Sequence, residues 1–408
     1  MKCRFCNNTN IKLFLKLGEM PLANSFLTEA QIIKNYEPRF PLDVFFCEDC
    51  GLVQIGYVVP PEDIFSDYIY FSSTSDMIHK HGAYLADEFK KRFSLNKESL
   101  VVEIASNDGC VLNYFKQLDL KVLGVEPARN VAKVAIESGI ETYVDFFNKE
   151  TASDIEKKYG KADIILARHV FAHVPEIHGF VKGLKHLLKN DGVVAIEAPY
   201  LVDMVEKTEF DTIYHEHLSY LSLRPMAKLF KNYGMELFDV EHFNIHGGSL
   251  IYFIGNETFH EVNPRVEQFL SVERKKGFDN IEIYNRFAKR TLHIKTKLIG
   301  LLNSLKTQGK TLAAYGAPAK GNTLLNFCGI STGLIDYIVD KSPYKQGLFT
   351  PGTHIPVLSP DNLIKEMPEY TLLLAWNFAD EILEQQKPYI EKGGKFIIPV
   401  PEPKIIGE

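Results

Sequence analysis

The chain has 408 residues, enough for two or three domains at about 150 residues each. Its 46 Lys and Arg against 52 Asp and Glu give a formal charge of −6, which speaks against coating nucleic acid or an anionic membrane surface. The hydrophobic fraction of 45% and charged fraction of 24% are those of a globular protein, and no apolar run approaches the ~20 residues that span a bilayer.

The start, MKCRFCNNTN, has no apolar signal segment, so a cytoplasmic protein is expected. Cys3 and Cys6 form one CxxC pair, and Cys47 and Cys50 form another. In a reducing compartment such pairs favour a metal over disulfides. Four thiolates close a tetrahedral shell around Zn²⁺, which marks a structural site. Gly51 follows the second pair, where a knuckle turn needs it. The alternative is two unrelated pairs, one of them redox active. Residues 1–60 thus read as a small β-rich zinc-binding module that depends on its metal to fold.

Residues 75–93 carry Met77, His81, Leu85, Phe89 and Phe93 at helical spacing. Strand-like apolar runs then alternate with helix-sized stretches, at 100–105, 121–125, 162–167 and 192–196, which predicts a parallel sheet with crossover helices. Residues 237–243 and 249–254 flank Gly247-Gly248 and predict an antiparallel pair. A charged, helix-forming connector follows, and a second alternating region has strands expected at 311–315, 334–339, 371–375 and 395–398. The fold class is therefore α/β. The expected division is 1–60 zinc module, 61–258 first α/β domain, 259–308 helical connector and 309–408 second α/β domain.

Ligands of open α/β sheets sit beyond the carboxyl ends of the strands. The first strand ends in Glu103, Ala105, Ser106, Asn107, Asp108 and Gly109, without the G-x-G-x-x-G of a dinucleotide site. The second ends in Glu126, where a carboxylate can accept from both hydroxyls of a ribose. Such an acid pair suits S-adenosylmethionine (AdoMet), a cationic amine on a ribose-bearing ligand. After the next strand come Ala167, Arg168, His169 and His173; either histidine alone is as readily structural. Tyr200 follows the strand at 192–196, and then Tyr214-His215-Glu216-His217-Leu218-Ser219-Tyr220 concentrates imidazoles, a carboxylate and phenols. A histidine beside a glutamate is a plausible general base, and nearby phenols can donate to an oxyanion. Tyr68, Tyr70, Ser72 and Ser73 lie upstream; the serines either touch substrate or cap the helix that follows. In the second α/β region, Tyr315-Gly316-Ala317-Pro318-Ala319-Lys320-Gly321-Asn322 offers small residues and a lysine to a nucleotide phosphate, or is simply a tight turn.

In order, the double CxxC, Tyr68-x-Tyr70-x-Ser72-Ser73, Glu103-x-x-Ser106-Asn107-Asp108-Gly109, His173-Val174-Pro175, Tyr214 to Tyr220, and Gly316-Ala317-x-Ala319-Lys320-Gly321-Asn322 resemble one family over nearly the whole chain. It is the AdoMet-dependent sugar C-methyltransferases of bacterial deoxysugar pathways, especially the 3-C-methyltransferases of nucleotide-linked 4-keto sugars. The resemblance implies a class I Rossmann-like methyltransferase domain, an N-terminal zinc module and a C-terminal Rossmann-like domain that helps hold a nucleotide-diphosphate sugar. It implies His217 as base, with Glu216, Tyr214, His173 and Tyr68 or Tyr70 around the sugar. Glu103 to Gly109, Glu126, Pro127, Asp145, Phe146, Ala167 and His169 are the implied AdoMet contacts. Ser72, Ser73, Tyr200, Tyr315, Gly316, Ala317, Lys320, Gly321 and Asn322 are the implied substrate contacts. His169 stands where the family often has Asn, and Phe71 where Tyr is common. A monomer or weak homo-oligomer is expected, with no nucleic-acid or membrane partner. Competing readings are an AdoMet-dependent O- or N-methyltransferase, a nicotinamide oxidoreductase and a zinc-bearing nucleic-acid module.

Overall fold

The computed structural model describes residues 1–34, 37–65, 71–243 and 247–407, organised on three sheets. The first sheet runs Ile11–Met20, Phe40–Cys47, Val53–Ile55, all antiparallel. Its fourth strand, Ser219–Tyr220, comes from far along the chain and pairs with Val53 and Gln54. Each CxxC turn is followed by a residue in the left-handed region, Asn7 at φ 60° and Gly51 at φ 90°. Their N–H groups donate to the Cys3 and Cys47 carbonyls at 2.9 Å, which is how each turn closes.

The second sheet has seven strands: Met235–Phe243, Ser249–Asn256, Leu188–Pro199, Ala162–Arg168, Leu100–Ile104, Lys121–Val125 and Thr142–Tyr143. The last five are parallel, and the first two form the antiparallel pair predicted around Gly247-Gly248. Leu100, Val102 and Ile104 enter one apolar cluster while Val101 enters the opposite one, because helices cover both faces. The helix Asp76–Arg92 sits on the second cluster through Ile78, Leu85 and Phe89. Strand order reverses beside Leu100–Ile104, so the turn after it and the turn after Ala162–Arg168 flank one crevice.

Two helices, Pro264–Lys276 and Ile281–Thr307, lead to the third sheet. Its order is Val357–Leu358, Ile338–Val339, Leu312–Tyr315, Tyr370–Leu373, Lys395–Ile398 and Lys404–Ile406, parallel except for the last strand. The strand expected at 334–339 shortens to Ile338–Val339, because Leu334 and Ile335 turn back to the Ser331 carbonyl. The three sheets share one core: a continuous apolar cluster includes Phe46 beside the cysteines, Phe171 and Phe210 at the crevice, and Leu372 and Val400 at the far end. Among the described residues no helix is long and apolar enough to cross a membrane.

Candidate active site

The cofactor turn is built almost entirely from neighbours in sequence. Ala105 and Asn107 both adopt φ 54°, a conformation that non-glycine residues hold only when their surroundings enforce it. Glu126 enforces it here: one carboxylate oxygen accepts from the Asn107 N–H and the other from the Ala128 N–H, each at 2.8 Å. Gly124 is required opposite, since a Cβ there would stand 2.4 Å from Ser106 Oγ. From above, the Ser72 and Ser73 N–H groups donate to Asn107 Oδ1 and Asp108 Oδ2, both at 2.9 Å. The two serines thus cover the cofactor turn through their backbone, and the helix that follows has no side-chain cap from Ser75. Pro127 follows Glu126, Asp145 and Phe146 lie just past the Thr142–Tyr143 strand with Asp145 exposed, and Ala167 is buried within its strand.

Behind this turn lies a buried ionic cluster that sequence reasoning did not assemble. Arg168 donates from Nε to Glu197 Oε2 at 2.8 Å and stands 3.7 Å from Glu103 Oε1. His81 Nε2 lies 2.9 Å from Glu197 Oε1, and His169 Nε2 lies 3.6 Å from it. Burial would push Glu197 up, yet Arg168, His169 and His81 hold its carboxyl well below the usual range. For Glu103 burial wins over Arg168, and its pKa rises to about 8. Its Oε2 has no hydrogen-bond partner. One guanidinium therefore serves two acids, and the unpartnered oxygen at the strand end suits the cationic amine of AdoMet. Arg168 and Glu197 are direct neighbours across the parallel ladder, a pairing that only the strand order reveals.

The base turn is assembled from distant parts of the chain. His217 Nδ1 lies 2.8 Å from the Thr212 carbonyl oxygen, which can only accept, so Nδ1 carries the proton and Nε2 is the basic nitrogen. Burial lowers the pKa of His217 to about 4, against the raising effect of that carbonyl, so the ring is neutral near pH 7. Tyr214 lies over the imidazole with ring centroids 4.1 Å apart, and His173 follows at 5.0 Å. His173, itself lowered by burial and by His217, stacks on Phe65. The three line or adjoin a cleft with about 430 Å³ of unfilled space, counted out to open solvent, bordered also by His169, Met204, Thr212 and Tyr220. Glu216 was expected to orient His217; instead its Oε1 accepts from Asn24 Nδ2 of the zinc module at 2.6 Å, and Thr212 holds the imidazole nitrogen. Thr212 and Asn24 carry no signal in sequence, because a backbone carbonyl and an amide 192 residues away from Glu216 match no motif.

The four cysteine sulfurs lie within 4.8 Å of one another, with Cys3–Cys50 at 3.5 Å and Cys6–Cys47 at 3.6 Å. Zn–S bonds of about 2.3 Å give tetrahedral edges near these separations. Hydrogen bonding from Cys50 pulls the Cys3 thiol down to about 5 while Cys50 is pushed up, a conflict that a divalent cation resolves. The residues fit zinc, and four sulfurs leave no open position for catalysis.

A family model for a C-methyltransferase C-terminal domain matches residues 244–401, one for a zinc binding domain matches 3–65, and one for a methyltransferase domain matches 77–240. The C-methyltransferase NovU of Streptomyces niveus is 39% identical over 406 residues, covering 99% of this chain and 96% of its own. The chain belongs to the C-methyltransferase family. A SAM-dependent methyltransferase from Anabaena variabilis is 14% identical, with 49% of this chain and 100% of its own covered at a TM-score of 0.35. Magnesium protoporphyrin IX methyltransferase from Synechocystis PCC 6803 with bound SAH is 12% identical, with 44% and 83% covered at a TM-score of 0.35.

This C-methyltransferase uses AdoMet as methyl donor and has a zinc-binding domain whose four cysteines lie close enough to share one ion. Several of its residues sit elsewhere than motif reading placed them. Tyr200 lines the cleft, but its hydroxyl donates to buried Glu273 of the connector at 3.0 Å, so it offers the ring and not the phenol. The stretch from Tyr315 to Asn322, expected to cradle phosphate, turns out of the Leu312–Tyr315 strand with Pro318, Ala319 and Lys320 half-buried. Asp340 accepts from the Ala317 N–H at 2.6 Å. Cβ atoms at Gly316 and Gly321 would stand 2.9 and 2.8 Å from Ala375 and Leu374, so these glycines serve close packing. Lys320 Nζ lies 4.2 Å over the Trp376 ring, and Asn322 donates to the Ala23 carbonyl at 2.7 Å. Gln386 donates to the Tyr315 hydroxyl at 3.3 Å. Through Ala23, Asn322 ties this turn to the N-terminal module. Tyr68 and Tyr70 lie outside the described residues.

Proposed function

We propose that this C-methyltransferase acts in the cytoplasm on a nucleotide-linked 4-keto deoxysugar and methylates C3 through an enolate. The observation that carries the reading is the His217–Thr212 contact, because it leaves an unprotonated Nε2 in the cleft beside the cofactor crevice. A carbon next to a ketone becomes nucleophilic only after losing its proton, so a base is compulsory. His217 Nε2 takes the C3 proton, and the C–H electron pair moves into the enolate with charge on the C4 oxygen. Tyr214 and His173, whose rings lie against the His217 imidazole, are the groups offered to the oxyanion. Bound AdoMet would supply an electrophilic sulfonium methyl to the C3 carbanion, the new C–C bond replacing the S–CH3 bond as S-adenosylhomocysteine leaves. Glu103 and the Asn107–Gly109 turn hold the methionine end, and Glu126 keeps lone pairs for the ribose hydroxyls beyond the two N–H groups it already accepts. The division at 1–60, 61–258, 259–308 and 309–408 is part of the same proposal, with the C-terminal domain bordering the nucleotide end.

The test is solvent deuterium exchange at sugar C3 with a non-reactive AdoMet analogue bound. Wild type exchanges. His217→Asn keeps AdoMet affinity, loses exchange, and loses turnover by ~10²-fold or more. A mutant that exchanges as fast as wild type removes His217 as the base. Wild-type methylation without any exchange, and with product mass on oxygen, converts the enzyme to an O-methyltransferase.

A further inference from the structure

The base turn has a second anchor that the proposed chemistry leaves unused. Between the helix ending at Glu206 and His217, a single tight turn, Phe210–Thr212, carries the carbonyl that holds the imidazole. Its Asp211 is fully buried and accepts from Trp376 Nε1 at 2.6 Å. Trp376 follows the Tyr370–Leu373 strand at the switch point of the C-terminal sheet. Phe210 packs on Phe327 of the same domain with ring centroids 5.3 Å apart. Lys320 covers the other side of the indole. Arg290 of the connector donates to Thr208 Oγ1 at 3.0 Å, just ahead of the turn.

A buried carboxylate is a costly way to pack two domains unless its geometry matters. Asp211 Oδ1 and Glu209 Oε1 are both buried without a hydrogen-bond partner, so the cluster is held by direction and not by saturation of its lone pairs. The charged groups facing Asp211 are Lys320 and Glu209; those around His217 are His169 and His173, with the phenols of Tyr214 and Tyr220. Within the turn, Thr212 Oγ1 donates to the Glu209 carbonyl at 2.7 Å, and the Thr212 carbonyl meets the imidazole at 2.8 Å.

We propose that the C-terminal domain positions the catalytic base: the Trp376–Asp211 hydrogen bond clamps the Phe210–Thr212 turn, and the Thr212 carbonyl passes that constraint to His217. Asp211 and Trp376 are positioning residues. This rests on the reading of His217 as the base. Docking the C-terminal domain completes the active site as well as bordering it.

Trp376→Phe keeps an aromatic ring beneath Lys320 and deletes the N–H donor together with part of the indole. It is expected to lower kcat roughly 10- to 100-fold, the scale of an ångström-sized misplacement, with the KM for AdoMet unchanged. ¹⁵N spectra of the histidine rings should show His217 losing its fixed Nδ1–H tautomer. Asp211→Leu should do the same, and Asp211→Asn, which keeps an acceptor oxygen, should recover most of the lost kcat. If Asp211→Leu does not fold, Trp376→Phe and Asp211→Asn still carry the comparison. A folded Trp376→Phe enzyme with wild-type kcat and an intact Nδ1–H tautomer overturns the proposal. The tautomer readout is independent of catalysis: if His217→Asn keeps C3 exchange, the base assignment fails while the clamp is still judged by the spectrum.

Discussion

The two halves of the active site are built by opposite means. The cofactor turn is local: Glu103 to Gly109 are consecutive, Glu126 closes them from the adjacent strand, and its hydrogen bonds reach no further than the Ser72 and Ser73 N–H groups, 35 residues upstream. The base turn is borrowed: Asn24 holds Glu216, Arg4 donates to the Leu218 carbonyl at 2.7 Å, Val53 pairs with Tyr220, and Trp376 holds Asp211. A local site survives damage elsewhere, whereas a borrowed one fails when any lender moves. Every perturbation outside the methyltransferase sheet should therefore strike turnover before it strikes AdoMet binding.

The largest effect should come from the metal. The zinc cysteines hold the turns next to Arg4 and Val53, so losing the metal removes two anchors of the base turn at once. Cys47→Ser should lose bound zinc and drop turnover by at least ~10²-fold, with AdoMet affinity near wild type. Metal analysis, calorimetry and a methyl-transfer assay on the same sample decide it. A zinc-free variant with normal turnover would break the comparison, and one that also loses AdoMet binding would show that the two sites share a foundation.

A smaller effect is expected in the other half. Glu126→Ala removes the acceptor that holds the Asn107 and Ala128 N–H groups and the ribose contact proposed above. AdoMet binding should weaken by about 1.5–3 kcal/mol, roughly ten- to a hundredfold. Turnover at saturating AdoMet should stay close to wild type, because the base turn is untouched. Unchanged affinity by calorimetry would move the ribose site elsewhere.

The same contrast explains what could be read from sequence. Glu103 and Asn107–Gly109 could be singled out as candidates because a strand and its following turn are contiguous, and the four cysteines because spacing alone implies a shared ion. His217 could be proposed by residue type, but what holds it could not be read: Thr212 acts through its carbonyl, which every residue has, and Asn24 and Trp376 lie in other domains. The motif from Gly316 to Asn322 is ambiguous in sequence for a related reason. Small residues after a strand suit phosphate binding and close packing equally, and Gly316 and Gly321 do pack closely on Ala375 and Leu374. Arg168 and Glu197 went unjoined because their pairing depends on strand order, which a single sequence leaves open.

The smallest effect is a pH dependence confined to the cofactor half. Burial raises Glu103 to about 8, so at neutral pH its carboxyl is mostly protonated before AdoMet arrives. A cationic amine beside Oε2 favours the ionised form, and binding near neutrality should therefore release a proton. The sign follows: AdoMet affinity rises with pH below about 8, by at most tenfold per unit, and levels above it. In the protein without cofactor the linkage runs the other way. A carboxyl raised above its unfolded value contributes its full stability below the unfolded pKa of 4.5 and loses it as pH rises through the folded value of about 8. Calorimetry at pH 7 in buffers of different ionisation enthalpy should find close to one proton released per AdoMet bound. Glu103→Gln should bind more weakly and release none. Proton release that persists in Glu103→Gln would assign it to a group other than Glu103.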